Sequence, residues 1–352
     1  MSRLLEQSGG MTYAQAGVSI EAGDESVARI KHVVASTRRP EVLGGIGGFG
    51  GLFALDTSTY VAPVLVASAD GVGTKLDVAR QVGRYDTVGI DLVAMLVDDL
   101  ACVGAQPLFL LDYIAIGALD PAVIEEVVGG VAEGCRQAGT ALLGGETAEH
   151  HDVMKPDDLD LAGFVVGVVE RGSELGPDRV RAGDTLVGFA SPGLRSNGYS
   201  LARRVLITSA TSLSEPAWEG AEHSLGEELL VPSVIYSPAV SALCVELGTS
   251  IHSCSHITGG GIVGNVARML PPQLDAVIDM TSFDTPEIFF EIQRRGLVDA
   301  DEMVRVFNCG LGMVVALEPD VAGAAIAIAR SHAVHATIVG SVRAGSGSVV
   351  LT

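Results

Sequence analysis

Short apolar runs and amphipathic stretches alternate along the chain, and their periods predict its elements. The run that opens at Val64 is rich in β-branched and apolar side chains, which predicts a buried strand ending at Asp70. Residues 25–34 set Val27, Ile30, Val33 and Val34 on one helical face and Lys31 on the other. Residues 86–100 read as a helix apolar over most of its circumference, hence buried, yet Asp91, Asp98 and Asp99 share one face two turns apart. Strands follow at 108–116, 140–143 and 160–170, around a helix at 121–138 with Glu125, Glu126 and Glu133 outward. This order implies an α+β arrangement: a mixed sheet with helices on one face. Apolar periodicity lapses across 171–183, which predicts two domains, residues 1–170 and 171–352. The second reads as α/β: a strand at 185–190, a helix ending at 206, a strand at 252–258 and a helix opening at 259–266. A strand at 276–278 follows, then further helices and strands to the end.

Chemistry gathers where strands end. The first strand runs into Asp70, Gly71, Gly73, Thr74 and Lys75. The glycines permit a tight turn and close approach to a ligand, Asp70 can hold a hard cation, and Lys75 can offset phosphate charge. The set suits a magnesium nucleotide, or a plain glycine turn with solvated Asp and Lys. It is not a P-loop, because Thr74 rather than glycine precedes Lys75. Gly144, Gly145, Glu146 and Thr147 repeat the device, and the two strand ends side by side would form a phosphate and metal cleft. Asp91, Asp98 and Asp99 repel one another unless neutralised, most simply by a metal, or unless their face points to water. Residues 44–51 hold six glycines in eight, too many to open a helix, and read as a mobile flap containing Gly47 and Gly48. Gly259, Gly261 and Gly264 match a dinucleotide fingerprint in strand-to-helix context, with Asp279 ending the next strand; this keeps a nicotinamide oxidoreductase as an alternative. Ser196, Asn197 and Ser200 suit helix capping and anion binding with the same atoms.

Composition narrows the field. A chain of 352 residues exceeds the usual size of one core. With 43 acidic against 22 basic residues, the net charge of −21 disfavours nucleic acid and anionic membranes, so phosphates must be bound by local devices. No stretch of eighteen uncharged apolar residues occurs and residues 1–7 lack an apolar signal core, which predicts a cytoplasmic protein. Cys102, Cys135, Cys244, Cys254 and Cys309 are odd in number, scattered and never in a C-x-x-C pair, against a disulfide framework or zinc site.

Six motifs in order carry a resemblance: Ser68–Leu76, Gly89–Met95, Val97–Leu100, Gly144–Glu149, Ser196–Leu201 and His256–Gly261. With Thr37–Val42 and Phe307–Gly310, and from about Tyr13 to Val350, the chain resembles the phosphoribosylformylglycinamidine cyclo-ligases, or AIR synthetases. The resemblance implies a homodimer whose N-terminal sheet pairs across the two copies, ATP between the domains, the glycine flap closing over it and Lys31 nearby. It implies ATP-dependent ring closure of formylglycinamidine ribonucleotide. Asp70, Asp99 and Glu146 would hold Mg²⁺, with Asp91 and Asp98 as second choices; K⁺ is a further candidate. Lys75 would meet phosphate. His256 would be an acid, base or metal neighbour, or simply a structural histidine. Gly71, Gly73, Thr74, Asp91, Gly144, Gly145 and Thr147 would join the nucleotide site, and Ser196, Asn197, Gly259, Gly260 and Gly261 the substrate site. Three departures stand near the cleft. His150-His151-Asp152 replaces Met-Pro-Gly, Arg195 replaces a common His, from where it would meet an anion, and Asp98 replaces a common Asn. Sister enzymes that phosphorylate selenide or thiamine monophosphate are the nearer alternatives, although the selenide enzyme typically carries a reactive cysteine or selenocysteine just before its flap and the first cysteine here is Cys102. A non-catalytic binding module is the remaining one.

Overall fold

The computed structural model describes residues 12–209 and 211–352; residues 1–7, read above for a signal core, lie outside the described residues. The first half contains α1 (Ile20–Ala35), β1 (Val42–Leu43), β2 (Leu52–Phe53), β3 (Pro63–Gly71), α2 (Lys75–Val82) and α3 (Val88–Cys102). It continues with β4 (Gln106–Ile116), α4 (Pro121–Ala138), β5 (Ala141–Glu149) and β6 (Leu159–Glu170). The glycine-rich segment connects β1 and β2, which pair as a short antiparallel hairpin. The main sheet runs β3-β6-β4-β5, antiparallel except for the β4/β5 pair that α4 bridges. Local chemistry sets α4's ends: Asp120 caps Ala122 N, Pro121 fills the first turn, and Gly139 closes the helix in the left-handed region.

Helices cover one face of this sheet, as the pattern predicts. Val64, Val66, Leu110, Ile114, Leu161 and Val165 face α3 and α4, whereas Leu65 and Phe164 on the other face are 63% and 51% exposed. A mixed sheet with helices on one side and a second α/β unit is therefore the fold.

The second half contains β7 (Thr185–Ala190), α5 (Tyr199–Leu206), α6 (Leu225–Leu229), α7 (Ser237–Leu247), β8 (Ile251–His256) and α8 (Gly261–Val266). After them come β9 (Leu274–Ile278), α9 (Glu287–Gly296), α10 (Ala300–Val306), β10 (Leu311–Leu317), α11 (Ala322–Ser331), β11 (Ala336–Ala344) and β12 (Val349–Leu351). Its sheet runs β12-β9-β11-β7-β10-β8. β8 pairs antiparallel with β10 at one edge, while β9 lies near the other. A dinucleotide fold needs parallel neighbours on either side of its glycine turn, so the topology overturns the oxidoreductase alternative. Asp279 is also spoken for: its carboxylate accepts from Thr281 N and Oγ1.

Two local expectations are corrected. β5 does not end at Gly144 but continues through Glu149, with Gly145 opposite Asp112. A Cβ at Gly145 would collide with Asp112 Oδ1, so the glycine makes room for that carboxyl. Second, β3 and β5 are opposite edges of the sheet, so within one chain the two glycine–carboxylate devices are not side by side.

Candidate functional site

The acidic face of α3 splits into two environments. Asp91 and Asp98 are fully buried, neither facing water nor arranged for a metal. Asp91 accepts from Ser233 N and Oγ and pairs with Lys75 Nζ at 2.5 Å. Lys75 is itself fully buried and donates to the carbonyls of Arg195 and Val231; burial lowers its ammonium pKa, opposed by Asp91. Lys75 therefore neutralises Asp91 rather than facing a phosphate. Asp98 accepts from Tyr236 N and Ser237 N and pairs with Arg195 at 2.8 Å. Arg195 is 1% exposed and stacks 4.7 Å from the Tyr236 ring centre, so it does not meet an anion as its position had suggested. The neutralisers are side-chain cations and backbone N–H groups.

Asp99 is different. One oxygen accepts from Ser68 Oγ at 3.3 Å and the other meets His256 Nδ1 at 3.0 Å. Arg195 can only donate, so its 2.9 Å contact makes His256 Nε2 an acceptor and puts the proton on Nδ1, facing Asp99. Both ring nitrogens are thus engaged, and the imidazole holds Asp99 in place. Although burial acts to raise Asp99, the His256 and Ser68 contacts carry its pKa below the usual value. Asp70 ends β3 beside it; burial first, and then the Asp99 charge, raise its carboxyl above the ordinary range. Ser68, Asp99, His256, Asn265 and Arg268 line a ≈310 Å³ cavity between the two halves.

The remaining predicted residues fall into two groups. Thr74 Oγ1 lies 3.4 Å from Ser200 Oγ, and Asn197 donates to Met95 Sδ, which seats the Ser196–Asn197 loop on α3. Ser196 Oγ is buried with no partner among the described residues. Gly259 approaches Asn197, and Gly198, Gly259, Gly260 and Arg305 line a shallow depression beside it. On the far edge of the first sheet, Gly144, Gly145, Glu146 and Thr147 line a ≈320 Å³ cavity under α1, together with Asp112. Lys31, Gly44 and Gly45 line an adjoining cavity of ≈270 Å³ that shares Val34, Ile46 and Leu142. Gly47 and Gly48 line neither. After β5, His150 meets Tyr113 Oη at 3.3 Å and His151 packs on Gly17.

Among the described residues no three His, Cys, Asp or Glu side chains cluster as a metal site, so Glu146 does not join Asp70 and Asp99 within one chain. The Asp70–Asp99 pair still fits Mg²⁺, which takes one or two carboxylates and draws its other oxygens from substrate phosphates and water. Sequence reasoning missed Ser68, Arg268 and Asp112 as site residues. Asp112 was findable: it breaks the apolar phase of Leu110 and Ile114 on β4.

The comparisons agree with this architecture. Residues 57–169 match the N-terminal domain and residues 181–352 the C-terminal domain of AIR synthase related proteins. Among solved structures, thiamine-monophosphate kinase from Stenotrophomonas maltophilia K279a shares 21% identity over 93% of this chain and 95% of that one, with a TM-score of 0.68. The hydrogenase maturation protein HypE in complex with ATP shares 19% over 98% and 92%, with a TM-score of 0.66. Together, the two matched domains and the shared fold place this chain in the AIR synthase related superfamily.

Proposed function

We propose that this protein is an ATP-dependent cyclo-ligase that closes formylglycinamidine ribonucleotide to 5-aminoimidazole ribonucleotide, releasing ADP and phosphate. The observation that carries the reading is the pairing of Asp70 with Asp99: Asp99 lines the cavity between the two halves and is held by Ser68 and His256, and its charge raises the Asp70 carboxyl beside it. A protein of net charge −21 repels polyphosphate in general, so a bridging divalent cation at two repelling carboxylates is how it would admit a nucleotide. That a superfamily structure of similar fold binds ATP supports the same cofactor class.

In this scheme the γ-phosphoryl of ATP passes to the formyl amide oxygen and ADP leaves. A nitrogen of the same substrate then attacks that carbon, and phosphate departs with the oxygen as the ring closes. Both reacting groups sit in one molecule, so the protein's work is positioning and charge neutralisation. Asp70 and Asp99 would hold Mg²⁺, which when bound screens the phosphate charge. Arg268, on the same cavity, is the cation available to an anionic substrate in place of the buried Lys75. Ser196 Oγ, without a partner among the described residues, is the group the Ser196–Asn197 loop would offer to the ribonucleotide, and Gly259 and Gly260 leave room beside it. His256, with both ring nitrogens engaged, orients Asp99.

ADP release by the purified protein with Mg²⁺, ATP and formylglycinamidine ribonucleotide tests this directly. Substrate-stimulated ADP is expected, and its absence rules out the cyclo-ligase. Stimulation by thiamine monophosphate instead would transfer the reading to the kinase whose fold this chain shares. Asp70→Asn is expected to lower turnover by at least about a hundredfold with an unchanged melting curve; native turnover in that variant would remove Asp70 from the site.

A further inference from the structure

We propose that the carboxyl of Asp112 reads the amino edge of a purine base seated in the cavity between α1, α4 and β5, making it the residue that selects adenine. The inference rests on the nucleotide reading above and adds a base-recognition group to it.

The cavity has mostly aliphatic walls. Val27, Ile30 and Val34 come from α1, Ile124 and Val128 from α4, and Leu142 from β5. At ≈320 Å³ it lies at the small end of ligand pockets, which run about 300–1,000 Å³. Its rim carries Glu146 and Thr147, the end of the motif expected near phosphates. Such walls suit the faces of an aromatic ring, whereas a polyphosphate would find no cation on them.

Asp112 is the most buried ionisable group in that lining; Ser26 of α1 is buried there too, but its hydroxyl donates to the Ala22 carbonyl. Asp112 is 8% exposed, makes no ion pair among the described residues, and accepts a hydrogen bond only from its own backbone N–H. The fold makes space for it, since Gly145 lacks the Cβ that would strike Oδ1. A buried carboxyl with so few partners invites a ligand to complete it. The ionisable neighbours are Glu146 on β5 and the Cys135 thiol on α4, and α1 adds none to the lining. Burial pushes the Asp112 carboxyl up to about 7, so the neutral acid is available near neutrality. In that form its C=O accepts from the exocyclic amine of adenine while its O–H donates to N1, a matched pair of hydrogen bonds on the base's pairing edge.

Equilibrium binding of ATP and of purine riboside triphosphate, which lacks the amine, tests the assignment. The native protein is expected to hold ATP about tenfold more tightly. Asp112→Ala should shrink that ratio to within about twofold, chiefly by weakening ATP. Asp112→Asn keeps one donor and one acceptor and should preserve the preference. Melting curves establish that each variant is folded. Equal affinity of the native protein for the two nucleotides overturns the proposal without any variant, as does a folded Asp112→Ala protein that discriminates like the native one. If the native protein binds neither, the nucleotide reading itself falls and this inference with it.

Discussion

Arg195 and Asp98 depart separately from the cyclo-ligase pattern, but the fold makes them one interaction. Where that pattern has a neutral His and Asn, this chain has a guanidinium and a carboxylate 2.8 Å apart, 1% and 0% exposed. Burial raises the Asp98 carboxyl, and Arg195 is the largest force opposing that shift. Either charge alone would be stranded, which costs about 3–5 kcal/mol for a buried pair. Arg195→His and Asp98→Asn are each expected to destabilise by that order, and the double variant to recover more than half of the summed loss in a denaturant-melt cycle. Simple additivity would show that the two changes are unrelated. Asp112 gives a second stability test. Its folded carboxyl titrates near 7 against an ordinary 3.8, so the folded state binds the proton more tightly than the unfolded chain. Stability must then fall as pH rises across that window, by on the order of 4 kcal/mol in full. The melting temperature of Asp112→Asn relative to native should rise between pH 5 and pH 8; a constant difference would mean that Asp112 ionises like a surface aspartate.

At the level of elements, Lys75 separates a structural from a catalytic role. It opens α2, yet its ammonium ties α3 through Asp91 to the backbone of the second half at Arg195 and Val231. Lys75→Met should therefore lower stability by about 3–5 kcal/mol in urea melts, whereas Asp70→Asn should not; a Lys75→Met protein that melts like native but has lost turnover would return Lys75 to the phosphates. The sequence made α4 legible to the residue, because Asp120-Pro121 and Gly139 are local signals for its two ends. It also made legible the buried character of α3, which periodicity alone encodes. The continuation of β5 through two glycines was not legible, since the reason lies on another strand, at Asp112. Nor was the identity of the groups neutralising α3: Lys75 and Arg195 lie 16 and 97 positions from their partners, and nothing local marks them as inward-facing. Of the predicted metal carboxylates, Asp70 and Asp99 meet because β3 packs beside α3, while strand order, which no local pattern records, sends Glu146 to the far edge.

The molecule as a whole gives that separation a meaning. Asp70, Gly163, Asp112 and Gly145 form one row across β3-β6-β4-β5, so Glu146, next to Gly145, is about 14 Å from Asp70 at roughly 4.8 Å per strand. Among the described residues no further strand pairs with the outer edge of β3 or of β5, although Thr37 Oγ1 accepts from Leu142 N on β5, and the sheet's open face exposes Leu65 and Phe164, apolar surface of the kind that marks an interface. If β5 of one copy pairs with β3 of a second, Glu146 of each copy is brought toward the acid pair of the other. Light scattering should then give twice the 36.2 kDa chain mass, and Phe164→Glu should give monomers without substrate-stimulated ADP release. Mixing supplies the stricter test. Asp70→Asn and Glu146→Gln are each expected to be inactive alone, because both sites of either dimer lack one carboxylate. In a mixed dimer one site carries both lesions and the other carries neither. With random exchange half of the dimers are mixed, so about a quarter of native turnover should return. No recovery after verified subunit exchange would mean that each site is built within one chain, and Glu146 would then have no part in holding the metal.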